Sequence, residues 1–255
     1  MTHRPLTRLA LICALSLLLS TTHALPLAQI RQAGVLRLAT SADFAPFNSQ
    51  DGTTLSGFEV DLGALVAQTL GLKVQWTVAP FDSIFDGLNT EQYDAVIASH
   101  AIISTRLNVV DFARPHYCTG GVVLFRSGGP ATHQALAHQK VGAESGSTYF
   151  AYLKKLPFPK AIQLYPSSDD AIQALAFGKV SAVVTDRFAA LAAVQTYPRA
   201  KLALGEQLWK EEIAMAVRKG NPTLRAALDS ALNTLLQNGK YRALSLKYFQ
   251  QDIRC

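Results

Sequence analysis

Arg106 stands within the stretch SHAIISTRLNVVDFARPHY (Ser99–Tyr117), a few residues after the apolar run Ala95–Ala98. A guanidinium at that point can form two parallel hydrogen bonds to one carboxylate, which the point charge of a lysine cannot do. Gly146-Ser147-Thr148 opens another segment, and a helix start there would turn backbone N–H groups toward the same anion. Asp186 ends the run VSAVVTD and offers a carboxylate to an ammonium, while Phe44 and Phe81 supply aromatic faces. Ser41, Ser99 and Ala101 fall close to the ends of apolar runs. An α-amino acid carries the matching complement of carboxylate, ammonium and side chain. Each residue also has a plainer reading. Arg106 could be a solvated charge, Asp186 the N-cap of RFAALAAV, and the two phenylalanines ordinary core.

The elements that must position these groups are strands alternating with helices. VLRLATS, KVQWTVA and YDAVIA read as strands; Phe58, Leu62, Leu65, Val66, Thr69 and Leu70 share one face of a helix between Gly57 and Gly71. Asp51-Gly52 marks a hairpin turn, and Ser83–Leu88 a short helix. A second series follows the break SGGP: KVGAE, AIQLYP and VSAVVTD as strands, with helices opening at Gly146-Ser147-Thr148, at Ser167 or Ser168, and at Asp186. A long helix over Thr223–Gln237 and a short one over Leu244–Phe249 close the chain. This order predicts an α/β protein with largely parallel sheets in two lobes, the second inserted into the first. Lobe 1 is expected at 25–120 plus 214–255 and lobe 2 at 121–213, joined by two extended strands that form a hinge. In open α/β sheets ligands bind beyond the carboxyl ends of strands, where the candidate residues fall.

Composition narrows the class. Arg4 and Arg8 precede the apolar run Leu9–Leu19, and Thr22 and Ala24 stand at −3 and −1. That is the pattern of a secretory signal cleaved after Ala24, and the run is short for a membrane span. Its removal lowers the formal charge from +6 to +4 and leaves two cysteines, Cys118 and Cys255. An exported pair can oxidise to a disulfide or remain two thiols; sequence gives no distance between them. No basic stripe suggests nucleic acid. Metal and nucleotide motifs (C-x-x-C, H-E-x-x-H, the Walker loop) are missing, and GAESG is not a nucleophile elbow. His133 and His138 are five apart and do not share a helical face, while His100 and His116 have no carboxylate near them in sequence. No cofactor or metal is expected.

In this order the residues resemble the family-3 extracellular solute-binding proteins, periplasmic receptors of amino-acid uptake systems. SADFAPFN, GFEVDLGALVAQTLG, Phe81, YDAVIAS…TRLNVVDFARPHY, VGAESGST and GKVSAVVTDR carry the likeness, from about residue 30 to 250. The resemblance implies a type II periplasmic-binding fold closing over its ligand, with an ABC permease as membrane partner and a monomeric, periplasmic binding protein. By position, Arg106 would clamp the α-carboxylate with Ser147 and Thr148, and Asp186 would take the α-ammonium with Ser99. Phe44 and Phe81 would flank the side chain. Two positions depart from the pattern: Ala101 replaces the usual Ser or Thr, and Ser41 replaces the aspartate of basic-amino-acid receptors. The turn before Arg106 also lacks the usual proline and acidic residue. An uncharged or apolar ligand side chain is therefore expected. The rival expectation is a dehydratase-like enzyme on the same fold, with Glu144 as general acid on a cyclic carboxylic acid.

Overall fold

Residues 27–255 are described by the computed structural model, so the signal sequence and its cleavage point lie outside the described residues. The chain begins with α1 (Leu27–Ala33) and β1 (Val35–Thr40), whose alternating apolar side chains are buried at Leu36 and Leu38. A small meander follows, β2 (Asp43–Phe44), β3 (Asn48–Asp51) and β4 (Thr54–Ser56), with Asp51-Gly52 at its hairpin. Then come α2 (Phe58–Thr69), β5 (Lys73–Val78), α3 (Ile84–Asn89), β6 (Ala95–Val96), α4 (Ser104–Leu107) and β7 (Val110–Thr119). The chain crosses to the second lobe with β8 (Gly121–Arg126), β9 (Lys140–Glu144), α5 (Thr148–Lys155), β10 (Ala161–Tyr165), α6 (Ser168–Ala176), β11 (Ala182–Asp186), α7 (Arg187–Thr196) and β12 (Leu202–Gln207). It returns through β13 (Glu211–Arg218) and ends in α8 (Pro222–Gln237) and α9 (Lys240–Phe249).

Two five-stranded sheets result, ordered β5-β1-β6-β13-β7 and β10-β9-β11-β8-β12. Only one side of each is parallel: β5, β1 and β6 in the first, β10, β9 and β11 in the second. The strands next to the crossings, β7 and β13, then β8 and β12, run antiparallel, because one carries the chain out and the other brings it back. The sheets are therefore mixed rather than largely parallel. The return crossing lies just before β13. Glu211 and Glu212 already pair with Thr119 and Cys118 of lobe 1, which leaves Leu208–Lys210 as the connection.

Local chemistry sets the helix ends. Ser167 accepts from the Asp170 N–H at 3.0 Å to cap α6, and Asn221 accepts from Leu224 before α8. Leu224, Leu228, Ala231, Leu232 and Leu235 form the buried stripe of α8. At the outward crossing Gly120 and Gly121 lie against Trp209, and a Cβ at either would strike its carbonyl or its ring. No other residue type fits that approach. Cys118 is disulfide-bonded to Cys255 with the Cα atoms 4.8 Å apart, and the Cys118 N–H donates to the Ile253 carbonyl. The C-terminus is thereby tied to the strand that leads into the crossing.

Candidate functional site

Arg106 sits on the one-turn helix α4 and is 9% exposed. Its Nη1 donates to the Ala101 carbonyl of its own lobe at 3.1 Å, and its Nη2 to the Gly146 carbonyl of the other lobe at 3.3 Å. The guanidinium carbon lies 5.4 Å from the centre of the Phe81 ring, within cation–π range. Ser145 Oγ also reaches Asp82 across the gap, at 3.4 Å. The lobes thus meet at Arg106. Burial lowers its pKa, while Glu211, Tyr149 and Glu144, in that order, pull it back up.

Ser147 caps α5. Its Oγ accepts from the Phe150 N–H at 3.1 Å and donates to the Glu144 carbonyl at 2.7 Å, and Thr148 is the first helical residue. The start of α5 therefore stands beside the guanidinium that its neighbour Gly146 accepts from. Asp186 is wholly buried as the N-cap of α7. Oδ1 accepts from Phe188 and Ala189 N–H at 2.6 and 3.1 Å, and Oδ2 from the Thr119 hydroxyl at 2.5 Å. Burial nonetheless pushes it up to about 7, with Glu211 adding to the rise and those donors opposing it. Capping and an ammonium-binding role do not compete here, since a carboxylate has further lone pairs.

Ser99 has a φ of 55° and gives both its protons to Glu59: N–H to Oε1 at 2.9 Å, Oγ to Oε2 at 2.8 Å. Its carbonyl and the Oγ lone pairs are what it can offer an ammonium. Ala101 is buried, bridged to Ile213, and holds Arg106 through its carbonyl. Ser41 donates to Asn48 Oδ1 at 3.0 Å. Phe81 stacks on His100, ring centres 4.1 Å apart, and Phe44 stacks on Phe47 at 5.4 Å. One face of each ring is thus occupied by a neighbouring ring, and no ring contact joins Phe44 to Phe81 among the described residues. His100 is held well below its ordinary pKa, by burial first and by Arg106 second, and is neutral.

Several groups here were not singled out from sequence. Tyr149, one residue past Thr148, is buried where Glu211, Asp186, Glu144 and Arg106 all act on it. Glu211, 7% exposed, opens β13. Asp43 lies within the SADFAPFN stretch. Behind them Glu59 accepts from four donors: Ser99 twice, Asn48 Nδ2 at 2.9 Å and His116 Nε2 at 2.9 Å. His116 therefore does have a carboxylate partner, 57 residues away in the chain. Two surface grooves touch few of these groups. One of about 920 Å³ runs past Ala101, Thr148, Tyr152, Trp209 and Glu211, and one of about 750 Å³ lies at Arg126 and Lys140. Neither is lined by Arg106, Phe81 or Asp186. Among the described residues no three His, Cys, Asp or Glu side chains are grouped to hold a metal ion.

A two-lobed fold with a buried arginine shared between the lobes invites comparison with known proteins, and residues 36–251 match the model of bacterial extracellular solute-binding proteins, family 3. The chain belongs to that family. It is 28% identical over 229 residues to the L-cystine-binding protein TcyJ of Escherichia coli (strain K12), covering 88% of this chain and 86% of that one. Among solved structures it is similar to an ancestral arginine-binding protein bound to glutamine, with a TM-score of 0.81, 34% identity, and 86% and 99% of the two chains covered. It is also similar to the ancestral amino acid-binding protein AncCDT-1, a precursor of cyclohexadienyl dehydratase, with a TM-score of 0.80, 28% identity, and 88% and 99% covered. The fold of this family-3 protein is the type II periplasmic-binding fold.

Proposed function

We propose that this family-3 protein captures an α-amino acid between its lobes in the periplasm and hands it, as a monomer and without chemical change, to an ABC permease. The observation that supports this most is Arg106, buried at the lobe junction beside the start of α5. In this reading the ligand carboxylate meets Arg106 and the first turn of α5 at Ser147 and Thr148. The ammonium meets Asp186 and the Ser99 carbonyl, and Phe44, Phe81, Ser41 and Ala101 line the remainder. Hinge closure about Gly120-Gly121 and Leu208–Lys210 removes water from these pairs, where charge-assisted hydrogen bonds count most. Ser41 argues for an uncharged or apolar side chain; the carboxyls of the cleft argue for a cationic one. A thermal-shift panel of the twenty amino acids tests the reading, because a ligand of the native state raises the melting temperature. One or a few are expected to do so. A folded protein that none of them stabilises would overturn it.

A second reading is favoured by one observation. Glu144 lies at the lobe junction with its pKa raised well above the carboxylate range, first by burial and then by Asp43, and Arg106 opposes the rise. A carboxyl that keeps its proton near neutrality is equipped as a general acid. On that reading the protein would eliminate water from a cyclic carboxylic acid. No turnover is expected when such acids are incubated with the protein and followed by absorbance.

A further inference from the structure

The carboxyls of the cleft fall into two sets by the charges that act on them. Asp186 is acted on by Glu211; Glu144 is acted on by Asp43 and Asp169, and Asp169 in turn by Asp43 and Asp170. Arg106 feels Glu211 from one set and Glu144 from the other. A ligand carboxylate on Arg106 with its ammonium on Asp186 uses the first set and leaves the second for the side chain. Glu144 is the centre of that second set. It ends β9, is only 4% exposed, and its Oε1 has no hydrogen-bond partner among the described residues. The charges acting on it from lobe 1 are Asp43 and Arg106, so its carboxyl lies toward the opposing lobe. From its own lobe it faces Asp169 and the Ser168 N–H on α6 and the Tyr149 phenol on α5, with Tyr165 beside it on β10. Asp43, half-buried, likewise has an oxygen, Oδ1, without a partner among the described residues.

We infer that Glu144, flanked by Asp43 and Asp169, receives a positively charged side chain, so that the ligand is an amino acid bearing an ammonium or guanidinium group. The inference rests on the amino-acid reading above and departs from the expectation drawn from Ser41. The aspartate missing at position 41 is replaced functionally by a glutamate from the other lobe. A buried carboxylate that lacks donors costs free energy unless it takes a proton or meets a cation. A cationic ligand satisfies Glu144 and Asp43 together. A neutral ligand leaves the set protonated, and the two cases differ in their response to pH. Burial and Asp43 raise the Glu144 pKa, so proton and cation compete for it, and a cationic ligand must bind more weakly as the solution is acidified.

The test is calorimetry on the mature protein with L-arginine, L-lysine, L-glutamine and L-leucine. At about pH 8, arginine or lysine is expected to bind about 30-fold or more tighter than glutamine or leucine, the worth of a charge-assisted hydrogen bond. That advantage should shrink as the solution is acidified and Glu144 takes up its proton. Glu144→Gln should lose about 30-fold of the affinity for the cations and less than about threefold for the others. Glutamine or leucine binding wild type as well as arginine and lysine would overturn the inference and leave the broader reading standing. Glu144→Gln with undiminished affinity for the cations would do the same. Binding by no amino acid at all would remove both. If the variant fails to fold, the wild-type selectivity and pH profile decide.

Discussion

Glu59 and Glu144 are both buried glutamates, and nothing in their burial separates them: 0% and 4% exposed. Their partners do. Glu59 receives hydrogen bonds from the Ser99 N–H and hydroxyl, Asn48 and His116, all within lobe 1. Glu144 has the Ser168 N–H acting on it and keeps Oε1 without a partner among the described residues at the junction of the lobes. The bonds on Glu59 hold lobe 1 together, while the oxygen of Glu144 left short of donors is open to a group that arrives. Glu59 fixes the turn at Ser99–Ala101, whose Ala101 carbonyl holds Arg106. Lobe 1 therefore builds a satisfied network directly behind Arg106, and the second lobe sets an unsatisfied carboxyl against it.

The largest effect that could break this contrast is on stability. Glu59→Ala strands four donors, one of them on a wholly buried histidine, and should cost about 3–5 kcal/mol in urea denaturation. Glu144→Gln, by the same measurement at about pH 8, should cost nothing or raise stability, because it removes a carboxyl that burial disfavours. Equal losses for the two variants would erase the distinction. Next in size is the disulfide. Replacing Cys118 and Cys255 by alanine releases a loop spanning 137 residues and should cost about 2–5 kcal/mol without changing ligand affinity more than about twofold. A binding loss far beyond that would place the crossing strand inside the site's energetics.

The smallest effect is the pH dependence of stability in the protein without ligand. Asp169 is raised to about 6 and Asp186 to about 7, burial being the larger cause in each. Groups with raised folded pKa values stabilise below their unfolded values and lose that contribution as pH rises through the folded ones. The melting temperature should therefore fall, on the order of 5 °C, between about pH 5 and about pH 8. Asp186→Asn should flatten the part of that fall near pH 7. A melting temperature that rises over the same interval would show that these carboxyls are compensated in a way their surroundings do not suggest.

Much of this was legible in the sequence because it is local. The stripe from Phe58 to Leu70, the hairpin at Asp51-Gly52 and the caps at Ser167 and Asp186 each depend on residues within a few positions of one another. Arg106, Gly146–Thr148 and Asp186 could be singled out as candidates because strand ends and helix starts are themselves local signals. What escaped required distant segments to meet. His116 finds Glu59 across 57 residues, and Glu144 comes under Asp43 and Arg106 only when the lobes come together. The apolar run IAMAV within EEIAMAVR marks a strand but does not reveal which sheet takes its first two residues. The pair Phe44 and Phe81 read as opposed faces; each proves to have its own stacking partner, Phe47 and His100.

The most direct measurement is a calorimetric titration of Arg106→Ala, set beside its urea denaturation, with whichever amino acid stabilises the wild type. Binding should become undetectable, a loss of about 3–5 kcal/mol, because the ligand carboxylate would be buried without its partner. The folded state should survive, since the contacts that hold lobe 1 together behind it, from Glu59 to His116, are untouched. Wild-type affinity in a folded Arg106→Ala protein would contradict the account at its centre.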